Sequence, residues 1–127
     1  MRFLSLLFVL FLFGCGSSAE SQPATPPPLA YQDLSVEEFA EKIGGDNTVL
    51  LDVRTPQETA GGVIEGAIEL DFRSPDFSAQ LKALNPDKTY LVYCASGGRS
   101  GKTAEMLHDL GVQQVYNLKG GYRAWSR

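Results

Sequence analysis

Two short runs of uninterrupted apolar residues, each closed by a chemically active side chain, constrain this chain more than any other feature. Thr48-Val49-Leu50-Leu51-Asp52-Val53 closes around a carboxylate, and Thr89-Tyr90-Leu91-Val92-Tyr93 runs directly into Cys94. A strand that is apolar on both faces must be covered on both faces, as in a parallel sheet between two helical layers. Helix signals fall between the runs. Ser35-Val36-Glu37-Glu38 is a capping box ahead of Phe39, Ala40 and Ile43, and Gly44-Gly45 closes that helix. Pro56 opens a short helix over residues 55–61. Phe77 to Leu84 is another, ended at Asn85-Pro86, and Ser100 to Leu110 places Ala104, Leu107 and Leu110 on one face before Gly111. Ala67 to Leu70 is a weaker strand, Val115 to Leu118 the last, and Tyr122 to Ser126 a final helical turn. The pattern predicts an α/β domain over residues 31–127, with a mostly parallel sheet and helices on both faces.

In such sheets chemistry sits beyond the carboxyl ends of the strands, where Asp52 and Cys94 both fall. The stretch Cys94-Ala95-Ser96-Gly97-Gly98-Arg99-Ser100 joins a strand to a helix N-terminus. Two glycines let the backbone curl so that the N–H groups from Ala95 to Ser100 form an anion-binding nest, and the helix dipole adds partial positive charge. A thiol at the mouth of that cradle ionises easily, and Arg99 supplies a cation able to hold an oxyanion. Read as a small buried hydrophobe, Cys94 would leave the glycine pair and Arg99 unexplained. As a nucleophile it explains both. No histidine serves as its base, because His108 lies about 12 Å along the helix from the thiol's end. That excludes hydrolases of the Cys-His type. Asp52, if near, would raise a thiol pKa by like charge, so activation falls to the N–H groups, the helix terminus and Arg99. Four residues separate Cys94 from Arg99, one fewer than a protein-phosphatase loop, and the smaller ring suits a single sulfur atom.

These blocks resemble a single-domain rhodanese, a sulfurtransferase. Leu51-Asp52-Val53-Arg54, then Glu58, then Gly62, Ile64, Gly66 and Ala67 match one family stretch. Cys94-x-x-Gly97-x-Arg99-Ser100 matches the active-site loop, and Leu118-x-Gly120-Gly121-x-x-Ala124-Trp125 the closing motif. The resemblance covers Tyr31 to Trp125. It implies a rhodanese-like fold and a Cys94 that accepts a sulfane sulfur from a small sulfur-containing anion such as thiosulfate, or from a persulfide. The loop Ala95, Ser96, Gly97, Gly98, Arg99 and Ser100 would hold that sulfur before it passes to a thiol or cyanide acceptor, with no cofactor. Asp52 and Arg54 are expected to pair or to steady neighbouring loops; a direct substrate contact by Arg54 stays open. Trp125 is expected to pack the last helix onto the sheet, with Gly120-Gly121 keeping that turn near the catalytic edge. Thr59 and Val63 depart from the family's usual aromatic and histidine, which bears on subfamily rather than on the reaction.

The N-terminus is a separate matter. Phe3 to Phe13 is nearly continuous hydrocarbon after Met1-Arg2, and its length of about 17 Å falls well short of the ~30 Å of a bilayer core. It fits a signal-peptide core rather than a spanning helix. Leu12-Phe13-Gly14-Cys15 resembles the lipobox of bacterial lipoproteins, which implies residues 1–14 as signal peptide and Cys15 as the lipidated residue. Residues 15–30 would then form a Pro- and Ser-rich tether holding the domain in the cell envelope, facing the periplasm. Gly16 after that cysteine leans toward the outer membrane. A formal charge of −4 argues against nucleic acid, and two cysteines with His108 are too few for a zinc or iron–sulfur site.

Two rival readings remain. Ser96 to Thr103 is one residue from a P-loop, with Lys102 as its lysine, but the order of strand and loop is reversed. A non-catalytic envelope module that binds a partner on the same scaffold is the other, and the intact Cys94 and Arg99 argue against it.

Overall fold

The computed structural model describes Gly14, Gly16 and residues 29–127, so the signal segment, Cys15 and most of the tether lie outside the described residues. Among the described residues no helix is long and apolar enough to cross a membrane.

Five strands, β1 (Gln32–Leu34), β2 (Thr48–Asp52), β3 (Ile68–Glu69), β4 (Thr89–Tyr93) and β5 (Val115–Leu118), form one sheet in the order β1-β5-β4-β2-β3. Every pairing is parallel. The two apolar runs are the central neighbours, in register from Thr48 opposite Thr89 to Asp52 opposite Tyr93. Their alternating side chains divide the core. Leu51, Val53, Tyr90, Val92 and Cys94 pack with α3 (Phe77–Lys82) and α4 (Gly98–Asp109) on one side. Leu50, Leu91 and Tyr93 pack on the other with Phe39 of α1 (Val36–Lys42) and Trp125 of α5 (Gly121–Trp125). Each fully buried Val, Leu or Phe side chain among them stabilises the fold by about 1.5–3 kcal/mol. A short α2 (Pro56–Thr59) follows β2.

The α/β fold expected from the sequence, a parallel sheet with helices on both faces, is the one observed, with Trp125 against the sheet as expected. Several bounds need correction. Helix α4 starts at Gly98, two residues early, because Gly97 takes the left-handed conformation (φ +108°) and lets the helix begin at once. Helix α3 ends at Lys82 and α2 at Thr59, both short of expectation. The strand expected over Ala67 to Leu70 keeps only Ile68–Glu69, both exposed at the sheet edge. Strand β1 carries no apolar pattern in the sequence, since Gln32 and Asp33 are exposed and only Leu34 is buried.

Candidate active site

The parallel register brings the end of β2, the end of β4 and the turn after β5 to one edge of the sheet. At its centre is Cys94, the free cysteine among the described residues. It is not at the mouth of the loop: it is 1% exposed and belongs to the core that holds Leu51 and Val92. Its sulfur is nonetheless a polar site. The Gly97 N–H donates to Cys94 Sγ at 3.0 Å and the Ser100 hydroxyl at 3.3 Å. Burial alone pushes the thiol up. The Ser100 hydroxyl and the N–H groups of Ser100, Ser96 and Gly97 overcome that and hold Cys94 below its ordinary value. Helix α4 has no side-chain cap, so the thiolate stands where a capping oxygen would.

Two loop residues behave differently from expectation. Only Gly97 needs to be glycine for its backbone; Gly98 has no positive φ and open space where a Cβ would go. Ser100 contributes its hydroxyl, wholly buried, as well as its N–H. Alkylation of Cys94 against pH is therefore expected to follow one ionisation below the ~8.5 of a free thiol. Ser100→Ala and Gly97→Val should each move it upward, while His108→Ala, remote and exposed on α4, should leave it in place. A midpoint at the free-thiol value would show that the loop does not stabilise an anion.

The flanking charges are committed to one another. Arg99 Nη1 and Nη2 donate to the two oxygens of Glu58 at 2.9 and 2.7 Å, a bidentate pair that spans the chain from α4 to α2. Thr55 donates its N–H and hydroxyl to Glu58 Oε2, completing a capping box. Arg99 is the main cause that holds the Glu58 carboxyl down to about 2. The motif that contains Glu58 does not reveal this role; Thr55 three residues earlier, its capping-box partner, is the local signal for it. Asp52 and Arg54 pair with each other as expected, and both are buried: Arg54 Nε and Nη2 grip both Asp52 oxygens at 2.7–3.1 Å. Arg54 also lies over the Tyr122 ring at 4.1 Å and donates to the Gly62 carbonyl at 2.7 Å. Removing one partner of such a pair leaves a buried charge unmatched.

Three residues that the sequence motifs do not single out support the loop. Asn117 Nδ2 donates to Asp33 Oδ1 at 2.9 Å and to the Gly97 carbonyl at 3.3 Å, tying the loop to β1. Tyr122 and Arg123 donate their N–H groups to the carbonyls of Cys94 and Ala95 at 2.8 and 3.1 Å. Lys102 is exposed, and Thr103 is buried with its hydroxyl on the Arg99 carbonyl, so neither is placed as a P-loop requires.

A parallel α/β sheet whose carboxyl edge cradles a cysteine in a Cys-x-x-Gly-x-Arg-Ser loop defines a class. Residues 35–127 match the family model of the rhodanese-like domain, and the chain belongs to that family. A sulfurtransferase of Allochromatium vinosum is 32% identical over 96 residues, 75% of this chain and 88% of the relative. The protein YqhL of Bacillus subtilis is 36% identical over 92 residues, 72% of this chain and 70% of the relative. The tRNA uridine(34) hydroxylase of Acinetobacter baylyi is 34% identical over 100 residues, but the match covers only 32% of its length. Among solved structures, a rhodanese-like domain protein from Staphylococcus aureus aligns with a TM-score of 0.65 at 30% identity, covering 74% of this chain and 90% of that one.

Proposed function

We propose that this protein is a sulfurtransferase that carries sulfane sulfur as a persulfide on Cys94. The observation that carries the reading is the convergence of the Gly97 N–H and the Ser100 hydroxyl on Cys94 Sγ. With thiosulfate as donor, the thiolate attacks the outer sulfur. The new S–S bond forms as the bond to the sulfonate sulfur breaks, and sulfite leaves with the electron pair. The terminal sulfur then carries the negative charge beside donors already arranged for an anion. Cyanide or an acceptor thiolate attacks that terminal sulfur; thiocyanate or a new persulfide departs and the Cys94 thiolate is restored. Every species in the cycle enters and leaves as an anion, so no general base is required. The test is thiocyanate formation from thiosulfate and cyanide, set beside nucleotide binding. Saturable formation dependent on the protein supports the reading. Absence of transfer from thiosulfate and from organic persulfides, with the fold intact, would leave the partner-binding module.

The same proposal places the domain on a membrane, anchored in the bacterial envelope through acylated Cys15 and facing the periplasm. Its support is the short apolar stretch Phe3 to Phe13 followed by Gly14-Cys15. Several acyl chains anchor stably where one binds marginally. Cys15→Ser is expected to yield an uncleaved or miscleaved, unacylated N-terminus. Wild-type protein that washes off membranes in buffer alone would contradict the anchor.

A further inference from the structure

Three arginines border the cysteine loop, and two are already spent on carboxylates. Arg99 is bidentate to Glu58 and Arg54 to Asp52. The third, Arg123, is exposed and, among the described residues, its guanidinium has neither a hydrogen bond nor an ion pair. Its backbone is fixed, however, by the N–H bond to the carbonyl of Ala95, the residue that follows Cys94. A pocket of about 310 Å³ opens there, lined by Arg54, Glu58, Gly61, Ala95, Tyr122 and Arg123. Charge matching decides the sign of this pocket. Glu58 is neutralised by Arg99 and Arg54 by Asp52, which leaves Arg123 as the unmatched charge, and it is positive.

We infer that this pocket is the docking subsite for the anionic group of the sulfur donor, with Arg123 as its specificity-determining residue. Resting on the sulfurtransferase reading, the inference names the donor class: a sulfane sulfur attached to a small group bearing a sulfonate or a carboxylate. The planar guanidinium suits either oxyanion, each of which can take two parallel N–H bonds. Arg99, bound to Glu58 at both oxygens, braces the loop against α2 and supports the Cys94 thiolate, whose charge helps to raise the Arg99 pKa.

Two measurements on the full-length protein separate the subsite from the chemistry. The first is thiosulfate binding to Cys94→Ser protein, which cannot take up sulfur, read by calorimetric titration. Adding Arg123→Gln should weaken binding about tenfold, the scale of one charge-assisted contact, and Arg123→Lys should recover part of it. Equal affinity with and without Arg123→Gln, or no binding in either, would overturn the subsite. The second is the rate of sulfur loading on Cys94 from thiosulfate, from glutathione persulfide and from uncharged 2-hydroxyethyl persulfide. Arg123→Gln should slow an anionic donor about tenfold and the uncharged donor less than twofold. A response to thiosulfate alone assigns the subsite to sulfonates, and a response to glutathione persulfide alone to carboxylates. Equal slowing of all three would overturn the proposal by assigning Arg123 to loop shape. Failure of the wild type to load from any donor would defeat the sulfurtransferase reading, while the binding measurement still judges the subsite.

Discussion

Cys94→Ser is expected to lower sulfur transfer about a thousandfold or more, to the uncatalysed background, with little loss of stability. A serine hydroxyl does not ionise near neutrality, and the donors that stabilise a thiolate cannot make it do so. The choice of serine over alanine follows from burial. Cys94 is 1% exposed and part of the core, so alanine would leave a small void and strand the Gly97 N–H and the Ser100 hydroxyl without an acceptor. A buried donor left unmatched costs about 1–3 kcal/mol. Serine keeps an acceptor at the same place and nearly the same volume. Its Tm should therefore stay within about 5 °C of the wild type, a shift of roughly 1 kcal/mol for a domain of this size. Undiminished transfer in the serine variant would remove Cys94 from the mechanism.

The second large effect is expected at Gly121. It is buried at φ +61°, and a Cβ there would stand 2.5 Å from the Ala95 carbonyl carbon and 2.6 Å from the carbonyl oxygens of Cys94 and Ala95. Those two carbonyls accept the N–H groups of Tyr122 and Arg123, so nothing flexible can yield. Gly121→Ala must push the cysteine loop off α5 or break both bonds. The expected cost is about 3 kcal/mol or more, combining positive-φ strain with overpacking, and a fall in Tm of more than about 10 °C. Transfer should fall as well, because the displaced backbone belongs to the cradle. Gly111→Ala supplies the comparison: φ is +94° but nothing lies within 4 Å, so strain alone acts, at about 1 kcal/mol. Equal Tm losses in the two variants would show that the close approach at Gly121 carries no special weight.

What could be read from the chain follows the range of the forces involved. Strands β2 and β4 announce themselves because a strand covered on both faces must be apolar throughout. The edge strands β1 and β3 do not, since their exposed residues are under no such demand. The Asp52–Arg54 pair spans two residues and is within reach of local reasoning. The Glu58–Arg99 pair spans 41, and only folding brings it together. The burial of Cys94 has a sequence signal in its period: it continues the alternation Tyr90, Val92 into the same core. The hydroxyl of Ser100 follows from helix geometry once α4 is known to start at Gly98, because its first turn then closes beneath the thiol. Asn117 has none. It sits on a buried strand among apolar neighbours, and its grip on Gly97 depends on how β5 meets the loop.

The central claim is that sulfur rides on Cys94, and intact and peptide mass spectrometry after exposure to thiosulfate tests it most directly. The account predicts a gain of about 32 Da confined to the peptide containing Cys94, lost on adding cyanide as thiocyanate appears. Thiocyanate formation with the Cys94 peptide unmodified throughout, or the added mass on another residue, would contradict it.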